Sequence, residues 1–200
     1  NHGIKSAKYF KIESHFKWDR SPVIFYPGKK LSARFLNDNL AWAVERVVSI
    51  LDSHEKESGI IHSGSYELGQ KLWAALPKPY RKRVLLYKGS EEKDRMLKKM
   101  KKTRGLVAMG PSLLEGLNLV DDLSRFQIFL KVPYPHLGDK YVAAKLAHSQ
   151  AWYSWKTSLS VLQGVGRSIR TPNDWAVTYL IDGCFADLFK SAGDQFPQEF

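Results

Sequence analysis

Six short, mostly apolar runs punctuate the chain: Val23–Tyr26, Gly59–His62, Arg83–Tyr87, Leu106–Met109, Phe126–Val132 and Trp175–Ile181. Most stop at a turn former, such as Pro27-Gly28, Gly110-Pro111, Pro133 or Asp182-Gly183. Between the first two, Phe35, Leu36, Leu40, Ala43, Val44, Val47 and Leu51 recur at helical spacing, which predicts a helix over Ser32–Asp52. Further helices are expected over Tyr66–Leu76, closed by Pro77, and over Glu91–Lys102, with Ser90 as N-cap. A long helical region runs from about Lys140 to Arg170, with a break expected near Ser158. Buried strands alternating with helices predict an α/β fold, a parallel sheet with helices on both faces in three layers. In such sheets chemistry gathers at the carboxyl ends of the strands. Ser63-Gly64-Ser65, Gly110-Pro111-Ser112, Pro133-Tyr134-Pro135 and Asp182 lie at those ends.

Two hundred residues suit one domain with a sizeable core. Residues 1–22 read as a lead-in whose Phe10, Phe16 and Trp18 are expected to anchor onto the body, residues 23–200. A net charge of +11 favours a polyanionic partner, most simply a nucleic-acid backbone. Part of it is the run Lys98, Lys99, Lys101, Lys102 and Arg104, which fits a nucleic-acid path and a solvated helix face equally well. The single cysteine, Cys184, excludes an internal disulfide and any four-cysteine metal site within the chain, and reads as a small apolar residue after a strand. No apolar run reaches the roughly 20 residues that span a bilayer, so no membrane is expected as partner.

Leu162-Gln163-Gly164-Val165-Gly166-Arg167-Ser168-Ile169-Arg170 is the richest stretch in chemistry. On a helix, Gln163, Arg167 and Arg170 share one face, while Leu162, Val165 and Ile169 face the sheet. Two glycines inside a helix cost about 1 kcal/mol each relative to alanine, so Gly164 and Gly166 point to a close approach by something else. Planar guanidinium forks on a rigid face suit a triphosphate.

The pattern Q-x-x-G-R-x-x-R in this stretch resembles motif VI of superfamily 2 helicases, in the form of the XPD/DinG-like group. Ser112-Leu113-Leu114-Glu115-Gly116-Leu117-Asn118 resembles motif V of that group, with Asn118 in place of the usual aspartate. Ile60-Ile61-His62-Ser63-Gly64-Ser65-Tyr66 looks like motif IV, and Arg125–Lys140 has the same group's strand and proline-aromatic loop. The resemblance runs from about Pro22 to Phe185, and implies the second RecA-like motor domain of an ATP-dependent DNA helicase.

By that resemblance, Arg167 and Arg170 stabilise charge on the ATP phosphates and Gln163 positions nucleotide or water. Glu115, Gly116, Asn118 and Gly166 then touch the nucleotide, and Ser63, Ser65 and Ser112 grip single-stranded or forked DNA. ATP and Mg²⁺ are expected to be held mainly by an N-terminal motor domain of the same protein. The expected compartment is the cytoplasm, or the nucleoid or nucleus. No G-x-x-x-x-G-K-[ST] loop is present. The nearest approach, Gly64–Lys71, has Gln70 where lysine belongs, although Val177–Asp182 imitates the strand and acid of a Walker B element. Two other readings stay open: a RecA-like binding module without an NTP cycle, and a small NTPase using the Gly64 loop.

Overall fold

A computed structural model of the chain describes residues 8, 10, 18–87, 90–111, 121–171, 173–197 and 200. Its elements run β1 (Val23–Phe25), α1 (Leu36–Ser53), β2 (Gly59–His62), α2 (Tyr66–Ala75), α3 (Lys78–Arg83), β3 (Val84–Leu86) and α4 (Ser90–Lys102). There follow β4 (Val107–Gly110), β5 (Phe126–Phe129), α5 (Lys140–His148), α6 (Gln150–Val165), β6 (Val177–Leu180) and α7 (Cys184–Ala192). All six apolar runs enter one sheet in the order β1-β6-β5-β2-β4-β3, and every ladder is parallel.

Alternation along each strand divides the core between two faces. Ile61, Met109, Ile128 and Ile181 pack with Val47 and Leu51 of α1 and Leu72 of α2. On the opposite face, Phe129 and Leu180 meet Val161 and Val165 of α6 and Phe185 and Leu188 of α7. Farther along, Ile60 and Ala108 meet Met96 and Met100 of α4. This is the predicted three-layer arrangement.

Several boundaries move for local reasons. The break in the long helical region falls at Ser149, not Ser158. Ser149 is extended (φ −154°, ψ 107°) and its Oγ accepts the Trp152 N–H at 3.1 Å, capping α6. The Ser158 hydroxyl instead donates to the Ser154 carbonyl one turn back, inside an unbroken helix. Helices α3 and α7 follow proline or glycine, where the sequence pattern predicts no helix. Arg83 ends α3 and does not begin a strand. Its guanidinium donates to the carbonyls of Gly105 (2.6 Å), Leu51 (2.6 Å), Glu57 (2.7 Å) and His54. Phe10 is 84% exposed and so is not packed as an anchor on the described residues, and Phe16 lies outside them.

Candidate nucleotide and nucleic-acid site

The end of α6 is fixed by a buried polar junction centred on Gln127 of β5. Its Nε2 donates to the Val165 carbonyl at 2.8 Å and to Thr178 Oγ1 at 2.9 Å, while Oε1 faces His62 Nε2 at 3.1 Å. A carbonyl only accepts, so the amide orientation is settled, and His62 Nε2 must carry the proton. Burial, partly opposed by the Gln127 bond and aided by the charge of Arg167, pushes the His62 pKa down to about 4. The imidazole is therefore neutral near pH 7, and its Nδ1 is a buried acceptor without a partner among the described residues.

Beyond Val165 the α-helix stops. Gly166–Ser168 form a 3₁₀ turn and Ile169 is extended (φ −116°, ψ 112°). Gln163, Arg167 and Arg170 therefore do not share one helix face, contrary to the spacing argument. Competing anchors unwind the segment. Ser168 Oγ lies 2.5 Å from Ser124 Oγ, and the amides of Arg170 and Thr171 donate to Asp174 Oδ2 at 2.9 and 3.2 Å. Asp174 is itself held by Arg125 at 3.5 Å. Gln163 is exposed on α6. Arg167 is half-buried and makes no hydrogen bond or ion pair among the described residues. A Cβ on Gly166 would meet nothing within 4 Å among the described residues, so none of these makes the close approach expected there; Gly164 is buried.

At the carboxyl ends of the strands, Ser63 is fully buried. Its Oγ donates to the Ser65 carbonyl at 2.9 Å, so this hydroxyl braces the turn and does not reach outward as expected. Ser65 is half-exposed and caps α2, its Oγ accepting the Leu68 N–H at 3.1 Å. Between them Gly64 is exposed at φ +70°, and a Cβ there would lie 3.1 Å from Lys131 Cβ. Lys131, half-buried and without a hydrogen bond or ion pair among the described residues, joins His62, Gly64, Pro111, Tyr134 and Ser160 around a cavity of about 210 Å³. Sequence reasoning passed over Lys131, because only its place beside the glycine turn distinguishes it from other lysines. Ser112, Glu115, Gly116 and Asn118 lie outside the described residues.

The competing nucleotide features have structural uses. Lys71 of the Gly64–Lys71 stretch pairs with Glu67 at 2.7 Å and donates to Asn37 at 3.2 Å. Buried Asp182 accepts the amides of Leu31 (2.9 Å), Cys184 (3.0 Å) and Val132 (3.2 Å), so it clasps three loops. Among the described residues no group of three or more His, Cys, Asp and Glu is placed to hold a metal. Burial and nearby Asp182 push the Cys184 thiol up to about 12, which leaves it protonated and inert. No described helix is long and apolar enough to cross a membrane.

An all-parallel six-stranded sheet with these turns at its strand ends defines a RecA-like α/β domain. Residues 47–200 match the family of helicase C-terminal domains, and the chain belongs to that family. It is 30% identical over 92 residues to the ATP-dependent DNA helicase CHL1 of Scheffersomyces stipitis, covering 37% of this chain and 11% of that protein. It is 32% identical over 87 residues to the regulator of telomere elongation helicase 1 homolog of Drosophila virilis, covering 37% and 9%. The fold resembles S. tokodaii Xpd4 with a TM-score of 0.67 at 19% identity, over 96% of this chain and 40% of that one. Apo XPD gives 0.65 at 16% identity, over 86% and 38%. The matched stretch is thus about a tenth of the length of these curated relatives.

Proposed function

We propose that this domain is the second motor half of an ATP-dependent DNA helicase, working on ATP and Mg²⁺ held mainly by a P-loop domain elsewhere in the protein. The observation that carries this reading is the state of Arg167. A half-buried guanidinium has no anionic partner among the described residues, beside a turn pinned at Gln127, Ser124 and Asp174 and next to open space at Gly166. Such a group is pre-positioned for charge that develops on a transferring phosphoryl group. Arg170, three residues on in the same pinned segment, acts with it, and Gln163 reaches nucleotide or water from the exposed side of α6. Glu115, Gly116 and Asn118 contact the nucleotide, and Gly166 leaves room for it.

At the strand ends, Ser65, Ser112, the Gly64 turn and Lys131 hold the phosphates of a single strand. Ser63 supports that turn from beneath. The Gln127 junction joins the two places, since it links β2, whose end carries the turn, to the residue that precedes the arginine segment.

Changing Arg167 to Lys in the full-length protein tests the reading. The charge stays but the fork is lost, so ATPase falls by about 10³-fold or more while ATP affinity changes far less. Retained ATPase would remove Arg167 from catalysis and favour a binding module without an NTP cycle.

A further inference from the structure

The excess positive charge of the chain is concentrated in one place. Residues 78–104 contain twelve Lys and Arg against three Asp and Glu, a net +9 of the +11 carried by the whole chain. They form α3, β3 and α4, at the β3 edge of the sheet. Met96 and Met100 seat α4 on the sheet and leave Arg95, Lys98, Lys99, Lys101 and Lys102 exposed. Between α3 and α4 the edge opens into a cavity of about 590 Å³, lined by Gln70, Trp73, Arg81, Lys82, Glu92 and Lys99. Arg81 lies 5.9 Å over the Trp73 ring, and its Nε is buried without a partner among the described residues. Apart from Arg104, which pairs with Asp122 at 3.1 Å, none of these outward cations has an ion-pair partner among the described residues.

Such a patch repels itself, and the fold gains nothing from it. Its chemistry selects among polyanions. Helix α4 is about 20 Å long by its 1.5 Å rise per residue, and duplex DNA presents one charge per roughly 1.7 Å of axis. Most of its outward cations are lysines, compact point charges that suit phosphates more than the fork-shaped edges of bases. No aromatic residue occurs in α4, and Trp73 in the cavity is half-buried, covered by Arg81 and tied by its Nε1 to the Val84 carbonyl at 3.0 Å, so neither offers a free platform on which unpaired bases stack. Nor does α4 carry the aromatic anchors that centre a protein interface. We propose that the α3–α4 edge is a second nucleic-acid surface, which holds the phosphate backbone of a duplex without regard to sequence. It flanks the edge strand β3, two strand spacings or about 9 Å from β2, whose end carries the Gly64 turn, and three from β5. Its place in a helicase rests on the proposed function; the duplex contact itself does not.

The test is the full-length protein with Lys98, Lys99, Lys101 and Lys102 all changed to Gln, compared with the parent by fluorescence anisotropy at several salt concentrations. The probes are a blunt duplex, an oligo-dT strand and a labelled poly-glutamate peptide. Duplex affinity should fall at least tenfold, and the slope of log K against log salt should shrink by about 3–4, near 0.9 per phosphate contact. Binding of oligo-dT and its stimulation of ATPase should stay within twofold. An unchanged duplex slope overturns the proposal, as does an equal loss on oligo-dT. Loss of poly-glutamate binding with intact duplex binding would make the face a protein dock, and also overturns it. If the fourfold variant does not fold, Lys99→Gln with Lys102→Gln should give about half the slope change. A parent without DNA-stimulated ATPase would count against the motor reading alone, because duplex binding is read directly.

Discussion

Gln127 Nε2 and the Val165 carbonyl meet at 2.8 Å beneath the last turn of α6, one residue before the chain leaves the helix. That bond, with the contacts to Thr178 and His62, sets where the arginine-bearing turn begins. A polar group buried at the centre of a sheet is retained only when its partners are satisfied. Gln127 has a partner for each end of its amide, and its placement follows from that requirement.

Changing Gln127 to Leu therefore strands several groups at once: the Val165 carbonyl, Thr178 Oγ1 and the His62 Nε2 proton. Each buried unsatisfied group costs about 1–3 kcal/mol, so the isolated domain should lose at least about 2 kcal/mol in urea unfolding. In the full-length protein kcat should fall with little change in KM for ATP, since the turn carrying Arg167 loses its first anchor. A variant as stable as the parent would show that the junction does not hold α6.

His62 provides a pH test. Its folded pKa of about 4 lies below the ordinary value near 6.5. Between those values the unfolded chain binds a proton that the folded chain refuses, so stability falls as pH drops from about 6.5 toward 4. At 1.36 kcal/mol per pH unit the His62 contribution to that loss is of order 3 kcal/mol. Replacing His62 with Phe keeps a ring against Phe129, now 4.5 Å away, and should flatten that part of the curve. Parallel stability curves for parent and variant from pH 4 to 7 would refute the assignment.

Two glycines that look alike in sequence should respond oppositely to alanine. Gly166 has φ −68° and open space around its missing Cβ, so Gly166→Ala should change stability by no more than a few tenths of a kcal/mol. Gly64 has φ +70°, and its Cβ would press Lys131 at 3.1 Å, so Gly64→Ala should destabilise by about 1–2 kcal/mol. Thermal melts of the two variants side by side decide it. Any ATPase defect of full-length Gly166→Ala would then come from a contact outside the described residues.

The sheet was legible because each buried strand is a continuous apolar run, and its helices on both faces followed from the alternation. Gln127 was hidden inside one of those runs, where a lone polar residue has no periodic signature. The course of residues 162–170 was misread for the opposite reason. A spacing of four and three is the same whether the chain stays helical or is pulled out by Ser124 and Asp174, which come from other elements. Ser63 and Ser65 looked equivalent, yet Ser63 lies buried just past the end of β2 with its hydroxyl on the Ser65 carbonyl, while Ser65 is half-exposed as the N-cap of α2.

Lys131 carries the last prediction. It stands where β5 peels from the sheet, beside the Gly64 turn and on the rim of the cavity that His62 floors. Nearby Glu67 is already paired with Lys71 at 2.7 Å, and Lys131 makes no ion pair among the described residues, so the ammonium is available to a phosphate. In the full-length protein Lys131→Ala should weaken oligo-dT binding several-fold and reduce its salt slope by about 0.7, the value for one phosphate on a single strand. DNA-independent ATPase should not change, because Arg167 belongs to a different segment. The residue is half-buried and makes no hydrogen bond or ion pair among the described residues, so melting should shift little. An unchanged salt slope would take Lys131 off the strand's path, and a matching loss in DNA-independent ATPase would place it with the nucleotide instead.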